Sequence, residues 1–134
     1  MPRRTKEEAE KTRQEILFSA LDIFYEKGYS KTTFDEIAKR INLTKGAVYW
    51  HFRNKPDIIA ALIKESFNRT NEAITRKVPV VNALSDLRAH FNCLAELVRD
   101  NPNYRKFMFF MLFQMEWSET LFTHIGSSVK EIRD

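Results

Sequence analysis

The sequence has few residues that interrupt helices or cross-link chains: 134 residues include one cysteine, three glycines and four prolines. A single cysteine excludes a disulfide framework or a zinc site built from several cysteines, and it fits a reducing compartment. The longest apolar run, Phe107 to Phe113, is far shorter than the ~20 residues that a membrane-spanning helix needs. The charged N-terminus has no apolar segment behind it, so no signal peptide is expected. These absences predict a soluble, cytoplasmic protein.

The apolar content is high enough for a packed core. Apolar residues make up 43% of the chain, and 11 phenylalanines dominate its aromatic residues, which excludes wholesale disorder. Few glycines and no alternating β-branched runs predict an all-α fold. The length fits one compact unit, or a small headpiece followed by part of a second domain.

The positive charge lies in the first part of the chain. Residues 1–56 carry 12 Lys and Arg against 8 Asp and Glu, a net charge of +4, whereas residues 57–134 carry 10 of each and are neutral. A basic segment joined to a neutral one is typical of a polyanion-binding part and a part with another role. The alternative is an ordinary solvated basic surface.

Helix-capping and turn residues predict three helices before residue 54. Apolar residues at three- and four-residue steps predict an amphipathic helix over Lys6–Lys27, and Gly28 is a natural terminator of that helix. Thr33 and Glu36 have capping-box spacing at the start of a short second helix. Asn42 suits the left-handed conformation of a tight turn, and Thr44 is a second N-cap before a short third helix from Lys45 to Phe52.

Four more helices are predicted downstream. Lys55-Pro56-Asp57 opens a fourth helix, with Pro56 at its first position, that runs to about Lys77 and is broken at Pro79 among valines. Asn82 is the predicted cap of a fifth helix. A sixth helix is expected over about Pro102 to Trp117, and a seventh from Ser118.

Two short helices joined by a tight turn, with a helix behind them, describe a helix-turn-helix, whose second helix enters the major groove of DNA. Lys45 suits a phosphate or a guanine edge, and the small Gly46 and Ala47 allow close backbone approach. Tyr49 and His51 are suited to donate hydrogen bonds to phosphate oxygens. The alternative is that Tyr49 and Trp50 are core aromatics; Val48 and Phe52 are expected to face the core.

The stretches Thr33-Phe34-Asp35-Glu36-Ile37-Ala38 and Leu43-Thr44-Lys45-Gly46-Ala47-Val48-Tyr49-Trp50-His51-Phe52-Arg53-Asn54-Lys55 resemble the DNA-binding headpiece of TetR-family transcriptional repressors. The match covers roughly residues 3–65. The basic opening segment and the Tyr49–Phe52 run are most similar to the branch of the family that represses multidrug efflux pumps.

The resemblance implies a homodimer whose two headpieces bind successive major grooves of a palindromic, double-stranded operator. Base contacts are implied for Lys45, Gly46 and Ala47, and phosphate contacts for Thr33, Thr44, Tyr49, His51 and Lys55. An arm containing Arg3, Arg4 and Lys6 is expected to add backbone or minor-groove contacts, or to be a frayed tail.

The resemblance also implies a division into a helix-turn-helix domain, residues 1–54, and a helical ligand-binding domain, residues 55–134. The second domain is expected to be partial and to lack the dimerisation helices of the family. A lipophilic small molecule bound there is expected to displace the fourth helix, change the separation of the recognition helices and release the operator.

Seven aromatic residues between Tyr104 and Phe122, interleaved with three methionines, form the most apolar segment. Such a stripe is either the core of the second domain, half of an interface, or an adaptable wall for a flat lipophilic ligand. The residues predicted to line a ligand site are Phe67, Phe91, Phe107, Phe110, Met111, Gln114 and Trp117.

No catalytic constellation is present. His51, His90 and His124 are scattered, Cys93 fits a buried small hydrophobe, and no phosphate-binding glycine loop occurs. The sequence therefore predicts a non-enzyme without metal or cofactor. The alternative to a ligand-responsive repressor is a shortened family member that acts as an interaction protein, either a monomer or the partner of a full-length subunit.

Overall fold

A computed structural model describes residues 5–77 and 83–133, and all the regular structure in these ranges is helical. The helices are α1 (Lys6–Lys27), α2 (Phe34–Arg40), α3 (Lys45–His51), α4 (Lys55–Lys77), α5 (Leu84–Asp100), α6 (Pro102–Phe109) and α7 (Glu119–Arg133). A π-helical turn, Phe110–Gln114, continues α6. The predicted all-α fold class is confirmed.

Helix α1 has the bounds that the sequence predicts. Its start carries a full capping box that the sequence analysis did not identify: Glu8 N donates to Thr5 Oγ1 (3.1 Å) and Thr5 N donates to Glu8 Oε2 (2.9 Å). At its end Gly28 has a φ of 93°, a conformation that a side chain would strain, and its N–H donates to Phe24 O.

The turn between α2 and α3 depends on three predicted residues. Thr33 Oγ1 accepts from Glu36 N (3.3 Å), Thr44 Oγ1 accepts from Ala47 N (3.1 Å), and Asn42 has a φ of 55°. The predicted capping box at Thr33 is only half formed. The Glu36 carboxylate accepts from the Thr33 hydroxyl and pairs with Lys27, because α1 brings an ammonium within its reach.

Helix α4 begins one residue earlier than the predicted proline start. Asn54 Oδ1 accepts from Asp57 N (2.9 Å), so Asn54 is the cap, Lys55 is the first helical residue and Pro56 the second. The predicted break at Pro79 and the predicted cap at Asn82 lie outside the described residues. Helix α5 begins at Leu84, where Ala83 N donates to Asp86 Oδ2 (3.2 Å).

The sixth helix ends earlier than the sequence predicts. Met115 N donates to Phe110 O (2.9 Å), a π-type bond, and Met115 itself is extended, so the helix ends at Gln114 and not at Trp117. No glycine or proline marks this end. The early end buries both Phe110 and Met115 in the core, a requirement that only the packed chain imposes. The seventh helix is confirmed, with Ser118 Oγ accepting from Leu121 N.

One continuous apolar core crosses the predicted domain boundary at residues 54 and 55. It contains the inner faces of α1, α2 and α3 together with Ile58, Ile59 and Leu62 of α4 and Phe107 and Phe110 of the following segment. The Phe24 and Phe110 rings stack with centroids 5.5 Å apart. The division into two domains stays a prediction, but the two parts share their core.

A polar network fastens α7 to the start of α4. Ser128 Oγ donates to Asp57 Oδ1 (2.7 Å), and Arg53 donates to Asp57 through Nε (2.8 Å). Burial would raise the pKa of the Asp57 carboxyl, but the hydrogen bonds from Arg53 and Ser128 outweigh it and hold that pKa below its ordinary value.

Replacing Phe110 tests the shared core. Because Phe110 is fully buried, Phe110→Ala is expected to lower the free energy of unfolding by about 3–5 kcal/mol. The matched control, Phe113→Ala, removes a ring that is 74% exposed. It should change the free energy of unfolding by about 0.5 kcal/mol or less. Urea unfolding followed by circular dichroism measures both; equal losses would contradict the shared core.

The Asp57 carboxyl predicts an acid dependence of stability. Since its pKa is lower in the folded chain than the ordinary 3.8, its contribution is present above about pH 4 and is lost as the pH falls through the folded value. Asp57→Asn should therefore be less stable at pH 7 and lose less stability between about pH 5 and pH 2. Thermal unfolding across this range tests it, with Glu116→Gln, an exposed site, as control. Parallel acid profiles of wild type and Asp57→Asn would refute it.

Candidate nucleic-acid interface

Helix α3 presents one face to the core and the opposite face to solvent. Val48 is fully buried and Phe52, which caps the C-terminus of the helix, is 4% exposed, as predicted. Tyr49 is 51% exposed and Trp50 is 75% exposed. The alternative that these two aromatics belong to the core is therefore wrong.

The exposed face is cationic and ordered by short-range contacts. The Lys45 ammonium lies over the Tyr49 ring, 5.8 Å from its centroid, and the Tyr49 ring packs on Phe34 at 4.6 Å. Helix α3 contains Lys45 and His51 and no carboxylate. This face is suited to an anionic partner, since an approaching phosphate meets an ammonium and a phenol group.

Gly46 leaves room at the start of the helix. A Cβ atom built there would meet Thr44 Oγ1 at 3.9 Å, an ordinary contact, so packing within the chain does not require glycine at this position. Gly46 is exposed and Ala47 is half-buried beside it. Because these side chains are small, a partner can approach the backbone closely at the start of α3.

The two capping threonines are both accessible to a partner. Thr33 and Thr44 are both exposed at helix starts, and each hydroxyl accepts a backbone N–H. The cap fixes each oxygen and leaves the hydroxyl hydrogen of Thr44 available as a donor. These positions are compatible with the predicted phosphate contacts, which stay predictions.

Lys55 is engaged within the protein. Its ammonium donates to the carbonyl oxygens of Tyr29 (3.0 Å) and Ser30 (3.3 Å) and lies 4.7 Å from the Tyr29 ring centroid. Burial lowers the pKa of Lys55 and raises the pKa of Tyr29 to about 12. The ammonium fastens the loop after α1 to α4, and its predicted phosphate contact stays a prediction.

Trp50 is a candidate contact residue that the sequence analysis placed only among possible core aromatics. Its ring meets the His51 ring edge-on at 4.7 Å and is otherwise largely exposed beside the cationic face. The signal was available in the spacing: Val48 and Phe52 lie on the inner face, and a residue midway between them points the other way. The predicted arm at Arg3 and Arg4 lies outside the described residues; Lys6 is exposed at the start of α1.

The predicted ligand-site residues lie in several environments of the described structure, and their role stays a prediction. Phe107 lines a small cleft of about 20 Å³ between α1, α4 and α6, whereas Gln114 lines a separate cleft of about 260 Å³ beside Gly28 and Tyr29. Phe110 is in the core, and Gln114 donates to Tyr25 O (3.3 Å). The others are half-buried or exposed: Phe67, Phe91, Met111 and Trp117.

Two further findings concern the described residues only. In these ranges no group of three or more His, Cys, Asp or Glu side chains is placed to hold a metal ion. No helix there combines the length and the apolar character needed to cross a bilayer. Cys93 is buried, as predicted.

Comparison with known proteins agrees with this geometry. Residues 16–62 match the family model described as "Bacterial regulatory proteins, tetR family". The HTH-type transcriptional regulator TtgR of Pseudomonas putida is 43% identical over 76 residues, 57% of this chain and 36% of TtgR.

Solved structures extend the likeness beyond the headpiece. NalD, the secondary repressor of the MexAB-OprM multidrug efflux pump in Pseudomonas aeruginosa, aligns with a TM-score of 0.64 at 26% identity, over 92% of this chain and 60% of NalD. A complex of SmeT with triclosan aligns with a TM-score of 0.70 at 28% identity, over 90% of this chain and 60% of SmeT. The chain spans less than two thirds of each of these proteins.

The matched headpiece contains α2, the turn at Asn42 and α3 with their exposed cationic face. The alignments with the solved structures also include most of the helices that follow. Residues 16–62 therefore match the TetR family of bacterial regulatory proteins, and the chain is similar to regulators of the efflux-pump type.

Proposed function

We propose that this chain is a ligand-responsive, DNA-binding transcriptional repressor that controls a multidrug efflux or transport gene in the bacterial cytoplasm. The observation that carries the proposal is helix α3, which has no carboxylate and on which Lys45 and Tyr49 are exposed and His51 is half-buried. The efflux-pump part of the proposal draws support from the similarity to NalD.

Lys45, Gly46 and Ala47 meet base edges in the major groove in this proposal. Lys45 is one residue past the cap, where the N-terminal turn of a recognition helix enters the groove. The phosphate backbone is held on both sides by Thr33, Thr44, Tyr49, His51 and Lys55. A homodimer places two such helices one DNA turn apart, ~34–36 Å, on a palindromic operator.

A lipophilic small molecule is the proposed inducer. It binds in the helical domain of residues 55–134 and favours a conformation in which α4 holds the two recognition helices at a separation that fits the operator badly. Such a ligand shifts the population only by its differential affinity for the two conformations. The SmeT–triclosan complex is a related structure with a lipophilic ligand and supports this ligand class.

A second candidate is an interaction protein that pairs with a longer subunit and binds the operator weakly alone. The exposed aromatic rings favour this alternative, since Phe67, Phe91, Phe113 and Phe122 are each more than half exposed. The candidates are distinguished by measuring the oligomeric state by light scattering and the affinity for operator DNA on the same sample. A dimer that binds the operator selectively supports the repressor, and a monomer that binds it weakly supports the interaction protein.

The recognition-helix assignment is tested by fluorescence anisotropy on DNA from upstream of the gene of this chain, with a scrambled duplex as control. Lys45→Ala is expected to lose about 1–3 kcal/mol of discrimination between the two duplexes, because it removes a base contact. Tyr49→Phe and His51→Ala should weaken both duplexes equally, since phosphate contacts do not depend on sequence.

The matched control is Arg76→Ala, which also removes one positive charge. Arg76 lies 21 residues after Lys55 on the same helix, roughly 30 Å along its axis at ~1.5 Å per residue. Its loss should leave discrimination unchanged between about 50 and 200 mM salt. If Lys45→Ala behaved like Arg76→Ala, α3 would not be the base-reading helix.

The inducer proposal is tested with triclosan as the probe. Adding triclosan to the operator complex is expected to lower the affinity for the operator several-fold without changing the affinity for the scrambled duplex, since the ligand alters the spacing of two headpieces and not their charge. An operator affinity that stays constant while calorimetry detects triclosan binding would exclude release by this ligand class.

A further inference from the structure

A buried serine of α7 contacts the start of α4. Ser128 is 8% exposed, and its hydroxyl donates to Asp57 Oδ1 at 2.7 Å, across 71 residues of sequence. The Asp57 side chain is itself only 12% exposed. A hydrogen bond to a charged acceptor in such a shielded position is stronger than an exposed one.

The Asp57 carboxylate also contacts Arg53, in the segment that follows the recognition helix. Arg53 donates to its carboxylate from Nε (2.8 Å), from Nη2 (3.3 Å) and from the backbone N–H (3.3 Å). Arg53 comes directly after Phe52, which caps the C-terminus of α3. The carboxylate therefore fixes both the backbone and the side chain at the exit of the recognition helix.

Glu131 adds a second contact between α7 and Arg53. Its Oε2 accepts from Arg53 Nη2 at 2.5 Å, but the side chains are 66% and 60% exposed. Exposed ion pairs contribute little. The coupling between α7 and the headpiece is therefore expected to depend mainly on Ser128, with Glu131 as a smaller contributor.

Residues of α1 and of the end of α3 lie at the same junction. The Arg13 guanidinium of α1 lies 5.2 Å from the Phe52 ring centroid, and Arg13, His51 and Phe52 line a cleft of about 120 Å³ together with Asp57 and Ser128. The end of α3 and the Ser128 contact therefore share one cleft.

We propose that Ser128 is a positioning residue for operator binding: through Asp57 and Arg53 it sets the orientation of α3 relative to α4 and α7. The proposal rests on the proposed DNA-binding function. It adds a polar contact through which α7 acts on the recognition helix α3. A change in the position of α7 then alters operator affinity through a polar contact, in addition to any displacement of α4.

The test compares Ser128→Ala with Ser127→Ala. Ser127 is the adjacent serine, and its hydroxyl donates only within α7, to Thr123 O. Ser128→Ala is expected to weaken operator binding about 5–10-fold, Ser127→Ala less than about twofold, and Ser128→Thr, which keeps the hydroxyl, should restore most of the affinity. Equal effects of the two alanine variants would overturn the proposal.

A double-mutant cycle separates positioning from a general loss of stability. If Ser128 acts through Asp57, Ser128→Ala and Asp57→Asn together should weaken operator binding no more than Asp57→Asn alone. Independent, multiplicative losses in the double variant would show that the Ser128 effect does not pass through Asp57.

Hydrogen exchange tests the contact without DNA. In Ser128→Ala the backbone amides of residues 51–57 are expected to exchange at least about fivefold faster, while those of α5 are unchanged. Unchanged exchange at residues 51–57 would overturn the proposal. If the wild-type chain did not distinguish the operator from the scrambled duplex, the proposed function would fail, and hydrogen exchange would still decide whether α7 holds the recognition helix.

Discussion

The stacked rings of Phe24 and Phe110 join the helix-turn-helix part of the chain to the helices that follow. Both rings are fully buried, and Phe24 also contacts Tyr29 in the loop before α2. The Lys106–Asp22 ion pair (2.7 Å) lies in the same interface between α1 and α6. A displacement in the aromatic segment therefore reaches α1 directly; α2 packs on α1, and α3 packs on α2.

The geometry of the candidate DNA-binding face depends on polar contacts around this core. The Arg40–Glu26 pair, with nitrogen–oxygen distances of 2.9 and 2.8 Å, connects α2 to α1. Lys55 connects the loop between α1 and α2 to α4. Both of these basic residues are thus engaged within the chain. The Lys45 ammonium lies over the aromatic ring of Tyr49 on the exposed side of α3.

The helix-turn-helix was predictable because its signals are local. Thr33, Asn42 and Thr44 act through hydrogen bonds or backbone angles within a few residues of themselves, and the spacing of Val48 and Phe52 identifies the inner face of α3. The same spacing places Tyr49 outside the core, and its exposure agrees with that, whereas the predicted DNA contacts stay predictions. The predicted ligand residues had no comparable local signal, since a stripe of Phe and Met fits a core and a pocket equally well.

The sequence by itself determined the helices of residues 5–77 and 83–133, the tight turn and the position of the excess positive charge, because caps, periodicity and charge are properties of short segments. Only the tertiary structure decided that the sixth helix ends in a π turn at Gln114, that Glu36 pairs with Lys27, and that Ser128 reaches Asp57. Each of these depends on groups distant in sequence that meet when the core closes, and no pattern within one segment encodes such a meeting. The same reason explains why the aromatic residues divide between a buried ring at Phe110 and an exposed one at Phe113.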